Sequence, residues 1–356
     1  MKVYIGAEHI ISPLANSAEE NFTKAYKGQS GIRIVENRNF KKDANLYLSK
    51  FNNNVNKETL ITDCFNTLKI DKSVLSSPKT KVIFSSTKGN ISNGIKDALT
   101  DVITKFSASE NIVNKPILIS SACISGVVAI TKGAELIRAN YYDHVIVIGI
   151  DYLSDFVVYG FEALYALSKE ICKPFDSERN GINLGEGCSA VVLSKTDTIY
   201  NQIPLEFVSG SSSNDANHIS GPSRTGEGLF RSIEKTLKAG KVSKSDIGYI
   251  SAHGTATKYN DTMEAIAFNR LDLQHVKLNS LKGYFGHTLG AAGLIEVSMA
   301  MQQLRHQKVL KSLGYSENGD DQKLTVITTS EPHKFNTFLK TASGFGGGNA
   351  SLIIRK

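Results

Sequence analysis

No stretch of this sequence reaches the roughly 18 consecutive apolar residues that a membrane-spanning helix requires. The run Val145–Ile150 has the length of a buried strand, so a soluble protein without a membrane span is expected. Cysteine is scarce: Cys64, Cys123, Cys172 and Cys188 are scattered, with no C-x-x-C pair. That spacing argues against a disulfide framework or a zinc site and fits a reducing, cytoplasmic compartment. The opening Met1–Gly6 lacks the basic start, apolar run and small-residue cleavage site of a signal peptide, so no export signal is expected. A basic helix and an aromatic-interleaved basic stripe are missing too, which argues against nucleic acid as a partner. Charge is only mildly one-sided. The 41 Lys and Arg against 34 Asp and Glu leave +7 and a pI near 9.0, which attracts an acidic partner without identifying it.

What is present is a globular composition, 41% hydrophobic and 21% charged over 356 residues. At about 150 residues per domain, that length suggests roughly two domains or one large duplicated one. Strand-like runs at Val3–Gly6, Lys81–Ser85, Ile117–Ser120, His144–Ile150 and Ala190–Ser194 alternate with helical stretches near Ser17–Tyr26, Ser92–Phe106 and Ser125–Asn140. The pattern then recurs. Strands are expected at Leu205–Ser211, Ile247–Ala252, Val276–Leu278, Leu324–Thr328 and Ser351–Ile354, with helices near Gly226–Ala239, Asp261–Leu271 and Gly290–Arg305. This is an α/β chain of two similar halves, 1–198 and 199–356, although no residue-level repeat is visible. The helix at 125–140 has one apolar face (Val127, Ile130, Ala134, Ile137). The helix at 290–305 is apolar nearly all round, so sheet should cover it on more than one side and the fold should have more than two layers.

Four stretches carry chemistry. In Ser120-Ser121-Ala122-Cys123-Ile124-Ser125-Gly126 a short strand turns abruptly into a helix. A thiol at a helix N-terminus meets the positive end of the helix dipole, which favours the thiolate and a lowered pKa. Position alone fits a small buried hydrophobe equally well. His253, in Ser251-Ala252-His253-Gly254-Thr255-Ala256-Thr257, ends a strand and faces a cleft, though such a histidine is more often simply hydrogen-bonded. His287 lies between Gly286 and the apolar helix, with Lys282 just upstream. A lysine beside an imidazole needs a counter-charge such as Glu296, while Gly286, Gly290 and Gly293 permit close backbone approach. A charged turn capping a helix is the bland alternative. Ser343-Gly344-Phe345-Gly346-Gly347-Gly348-Asn349 lies between two terminal strands. No long helix follows it, so it is not a dinucleotide fingerprint; it is either a glycine hairpin or a source of free backbone N–H groups at an active site.

Together, in this order, these stretches resemble the elongating β-ketoacyl-ACP synthases of the thiolase fold. Lys173-Pro174-Phe175-Asp176 through Gly181, Gly185-Glu186-Gly187 and the opening Ile5-Gly6 to Leu14 add to the likeness, which spans nearly the whole chain. The resemblance implies two halves in a layered αβαβα sandwich. It implies that Cys123 accepts the acyl group, that His253 and His287 act on a malonyl thioester, and that Lys282 is the family's lysine. It further implies an oxyanion hole from the backbone N–H groups of Cys123 and Phe345, a gate at Phe345, and phosphopantetheine contacts at Thr255 and Thr257. No metal or redox cofactor is implied; the substrates ride on the phosphopantetheine of an acyl carrier protein, the expected partner, and the assembly is a homodimer or a ketosynthase-like heterodimer. Two histidines separate the chain from chain-starting synthases with His and Asn, and from thiolases with a second catalytic cysteine. The alternative is a non-catalytic chain-length-factor-like subunit, which Cys123 disfavours. Ala256, Ile124 and Gly348 depart from the family's usual residues, which bears on specificity. Ser213–Pro222 and Gly181–Gly187 resemble synthases of aryl-polyene and flexirubin-type pathways.

Overall fold

The computed structural model describes residues 1–356 except 37–44, 53–54, 56–58, 89–97, 216–217, 220 and 320. Ten strands form one sheet. Numbered along the chain, the first five are β1 (Val3–Ile11), β2 (Thr80–Ser85), β3 (Ile117–Ile119), β4 (His144–Asp151) and β5 (Gly187–Ser194). The second five are β6 (Leu205–Asn214), β7 (Tyr249–Ser251), β8 (Leu278–Asn279), β9 (Thr337–Gly344) and β10 (Gly348–Arg355). Outward from the centre the first set runs β1-β5-β4-β2-β3 and the second β6-β10-β9-β7-β8, the same order in each. In both sets the second strand pairs parallel with the third and fourth, and the fifth pairs antiparallel with the fourth and first. The sets meet where Val3–Ile5 pairs with Leu205–Phe207. The duplication invisible residue by residue is therefore explicit in the strand order.

The helices are α1 (Ala18–Tyr26), α2 (Leu60–Asn66), α3 (Ala98–Ser109), α4 (Ser125–Arg138), α5 (Asp155–Ala163), α6 (Glu227–Gly240), α7 (Lys258–Arg270), α8 (Lys282–Phe285) and α9 (Ala292–His306). The apolar face of α4 (Val127, Ile130, Ala134, Ile137) and Leu294, Val297, Met301 and Leu304 of α9 share one core with strands of both sets. Every residue of α9 from Ala292 to Leu304 is buried, because sheet lies on both sides of it. Burying each large apolar side chain there contributes about 1.5–3 kcal/mol. Outside the first strand set, α2 and Phe106 of α3 enclose a second core; outside the other, α6 and α7 enclose a third. The result is a helix–sheet–helix–sheet–helix sandwich, as the all-round apolarity of the 290–305 segment implied.

At the centre, α4 and α9 approach so closely that a Cβ on Gly293 would lie 2.7 Å from the backbone nitrogen of Val127. Only glycine permits that contact. It brings the N-terminal ends of α4 and α9, and with them Cys123 and His287, to one place. Leu324–Thr328 differs from expectation: it forms a single bridge, Val326 to Leu278, rather than a strand, and the partner of the last strand is Thr337–Gly344. The expected helix start at Gly290 is a short 3-10 turn, Leu289–Ala291, ahead of α9. Within the expected helix 92–106, residues 92–97 lie outside the described residues, as do Ala216, Asn217 and Ser220 of the 213–222 segment.

Candidate active site

Cys123 sits at the strand-to-helix turn between β3 and α4. Ala122 takes a left-handed φ of +46°, and Ser125 Oγ ties the turn by accepting from Ser121 N at 2.7 Å and donating to the Ala122 carbonyl at 2.6 Å. A non-glycine residue held in that region marks a turn constrained by its surroundings. The expected thiolate is not the resting state. Burial pushes the Cys123 thiol up to about 11, although Lys282 and a hydrogen bond from the Phe345 backbone pull it down. The helix begins only at Ser125, and Cys123 is almost entirely shielded from water, so desolvation of the charged form dominates. At neutral pH the thiol carries its proton.

His253 follows β7 and His287 precedes α9. Their rings lie 5.2 Å apart, edge to face at 81°, and both line the same cavity of about 600 Å³ as Cys123. Thr255, Thr257 and Phe345 also line it. Burial first, then Lys282, pushes both imidazoles well below their ordinary value, so both are neutral. Among the described residues neither ring nitrogen of His287 has a hydrogen-bond partner. An unpaired buried polar atom costs about 1–3 kcal/mol, which a site recovers when a ligand supplies the partner.

Lys282, fully buried at the start of α8, reaches the His253 carbonyl at 3.0 Å and lies 3.5 Å from its Nδ1. Its ammonium also pairs with Glu296 of α9. Phe345 is partly exposed at the tip between β9 and β10, its ring stacked on Phe161 of α5 at 5.6 Å. The Thr255 and Thr257 hydroxyls lie 2.8 Å apart. The structure thus gathers all the singled-out residues around one cavity or, for Lys282 and Glu296, directly behind it.

Several buried groups escaped the sequence reading. Glu264 of α7 accepts from the backbone nitrogens of His253 (2.9 Å) and Gly254 (2.6 Å). Asp261 accepts from Thr255, Ala256 and Phe175 nitrogens, bracing the same loop. Asp151, at the end of β4, accepts from Gly290 N at 2.6 Å and pairs with Lys88. Lys340 of β9 is fully buried, with Nζ 2.7 Å from Glu296 Oε2. The visible signal for Lys340 was one cation in the strand Thr337-Phe338-Leu339-Lys340-Thr341-Ala342, with no partner apparent nearby in sequence.

The duplicated αβαβα sandwich with a cysteine at its central helix terminus and two histidines from the second half is a thiolase fold. Residues 113–198 match the family described as beta-ketoacyl synthase, N-terminal domain, and residues 206–316 its C-terminal domain. The chain belongs to the β-ketoacyl synthase family. It is 32% identical over 251 residues to 3-oxoacyl-[acyl-carrier-protein] synthase 2 of Rhizobium meliloti, a match covering 66% of this chain and 59% of that relative. The ishigamide ketosynthase/chain length factor superposes with a TM-score of 0.90 at 21% identity, over 100% of this chain and 99% of that one. A ketosynthase (ApeO) in complex with its chain length factor (ApeC) from Xenorhabdus doucetiae superposes with a TM-score of 0.88 at 24% identity, over 99% and 98%. Among the described residues no helix is long and apolar enough to cross a membrane.

Proposed function

We propose that the chain is an elongating 3-oxoacyl-ACP synthase that joins an acyl group carried on Cys123 to malonyl-ACP. The observation that carries this reading is a single cavity lined by one thiol and two neutral imidazoles. Cys123 attacks the acyl thioester; its proton passes to the departing pantetheine sulfur, and the Cys123 and Phe345 N–H groups receive the oxyanion. A malonyl thioester then loses carbon dioxide, and its electron pair becomes an enolate whose oxygen accepts from the Nε2–H groups of His253 and His287. The enolate carbon attacks the acyl carbonyl. The carbon–sulfur bond breaks, the β-ketoacyl thioester leaves two carbons longer, and the Cys123 thiolate takes up a proton.

Neutral histidines are what this scheme needs, because an enolate oxygen is stabilised by uncharged N–H donors without a competing proton transfer. In this reading Thr255 and Thr257 receive the phosphopantetheine arm, Phe345 gates it, and Lys282 and Glu296 hold His253 from behind. No step calls for a metal or a redox group. The net charge of +7 suits an acidic acyl carrier protein, and four free thiols suit the cytoplasm. We read residues 1–198 as the half carrying the nucleophile and 199–356 as the half carrying the histidines, in a homodimer or ketosynthase-like heterodimer. An aryl-polyene or flexirubin-type pathway is the reading suggested by the 181–187 and 213–222 segments.

Incubation with acyl-ACP followed by intact-mass measurement tests the proposal. Wild type gains the acyl mass and Cys123→Ala does not; absence of the gain in wild type, or its persistence in the variant, refutes it. A second reading, a non-catalytic subunit that shapes another synthase's pocket, draws support from the raised Cys123 pKa. Acylation and condensation by the isolated protein would eliminate it.

A further inference from the structure

Glu296 is shared by two buried lysines. Lys282 Nζ pairs with one carboxylate oxygen, and Lys340 Nζ lies 2.7 Å from the other. Lys340 also donates to the carbonyls of Ser251 (3.2 Å) and Ala252 (3.3 Å), the two residues leading into His253. One carboxylate neutralises one lysine, so with the three groups ionised the trio carries a net positive charge. All three side chains are shielded from water, where a charge acts at longer range than at the surface.

We propose, on the basis of the condensing reaction above, that Lys340 is a positioning residue: it shares Glu296 with Lys282, so fixing both behind His253, and its charge adds to that of Lys282 in keeping that imidazole in the neutral, hydrogen-donating form. A single Lys282–Glu296 pair is electrically balanced and does this less well. The second cation also lies against the other carboxylate oxygen, an ion-pair contact that opposes rotation of Glu296 away from Lys282.

The charged groups around His253 come from every packed element. Lys282 of α8, Lys340 of β9 and His287 before α9 disfavour the imidazolium. Glu264 of α7, which accepts from the His253 backbone N–H, and Glu296 of α9 work the other way. Burial pulls the Lys340 ammonium below its ordinary value while Glu296 and Glu264 pull it back. Thr341, next to Lys340, donates to Glu264 at 3.0 Å, so β9 carries both a cation and a hydroxyl to the two carboxylates flanking the histidine.

The test is the Lys340→Gln variant, which can still donate to the Ser251 and Ala252 carbonyls but lacks the charge. Imidazole titration by NMR, assigned with His253→Ala, should show His253 protonating about one pH unit higher in Lys340→Gln than in wild type. The acid limb of the malonyl-ACP decarboxylation profile should move up with it, while Lys340→Arg restores both. Should Lys340→Gln fail to fold, Lys340→Arg and Lys340→Met are titrated instead, with Arg matching wild type and Met shifted upward. A His253 titration unmoved by loss of the charge overturns the inference, as does an equal fall in rate at every pH. The titration is read on unacylated protein. A wild type that never acylates therefore overturns the condensing reaction, while the imidazole shift still decides whether Lys340 sets the charge state of His253.

Discussion

The ring of His287 stands edge-on to that of His253, with centroids 5.2 Å apart and planes at 81°, and the ring nitrogens of His287 are buried with no partner among the described residues. His253 is held by its surroundings through its backbone N–H on Glu264 and its carbonyl on Lys282. His287 has equally firm backbone contacts, its N–H on the Asn183 carbonyl at 2.7 Å and its own carbonyl accepting from Gly185, but among the described residues its ring nitrogens have no hydrogen-bond partner. Both rings line the same cavity, but among the described residues only His253 is backed by a buried lysine.

That asymmetry gives a double readout for His287→Ala. Decarboxylation of malonyl-ACP, measured as conversion to acetyl-ACP in a Cys123→Gln background, should fall at least about 10²-fold, the scale of losing an oxyanion donor. Acylation of Cys123 in the single variant should change far less. Equal losses in the two assays would remove the enolate role.

The thiol of Cys123 should behave as a weak acid. With its pKa near 11, alkylation by iodoacetamide should rise about tenfold per pH unit between pH 7 and pH 10. Lys282 lowers that pKa, so Lys282→Met should slow alkylation at pH 8 severalfold. A plateau below pH 8 would show that the thiolate already exists at rest.

Gly293→Ala should destabilise the protein by about 1–3 kcal/mol in urea unfolding, because the new methyl would sit 2.7 Å from Val127 N at the contact of the two central helices. The same change should slow acylation, since it pushes the Cys123 turn away from the second half. A neutral effect on both would mean that the helices separate without cost.

Asp176, in the Pro174-Phe175-Asp176 stretch, accepts from Ser316 N, Ser316 Oγ, Glu317 N and Glu178 N. Burial raises its pKa, but these donors outweigh it and the net shift is downward. Its contribution to stability is therefore present above the unfolded carboxyl value and lost as pH falls through the folded one. Thermal melts of wild type and Asp176→Asn should differ clearly at pH 7 and converge toward pH 3. A difference that holds constant with pH would assign Asp176 a purely steric role.

Much of the site was legible because its residues sit at local discontinuities. Cys123, His253 and His287 each fall where an apolar strand or turn breaks into small residues, and such breaks are visible without neighbours in space. Glu296 could be picked as a counter-charge since it lies fourteen residues from Lys282 along one turn and helix. Lys340 and Asp151 could not, as each acts on backbone or charge brought to it from a distant element; Glu264 and Asp261 lie near His253 and Thr255 in sequence, but only the fold turns the start of α7 back onto that loop. The thiol's protonation state is not legible for a related reason: a helix terminus can be read from sequence, whereas the desolvation that outweighs it depends on what packs over the sulfur.

The alternation of strand and helix, the apolar encirclement of α9 and the order of the chemical stretches were determined by the sequence itself, because periodicity and short-range steric demands are properties of neighbouring residues. Tertiary structure alone decided that both halves repeat one strand order, that Gly126 and Gly293 bring two helix starts together, and that two lysines meet on one carboxylate behind His253. Those outcomes depend on contacts between residues more than a hundred positions apart in some cases, and burial in three dimensions sets both their geometry and the strength of their charges.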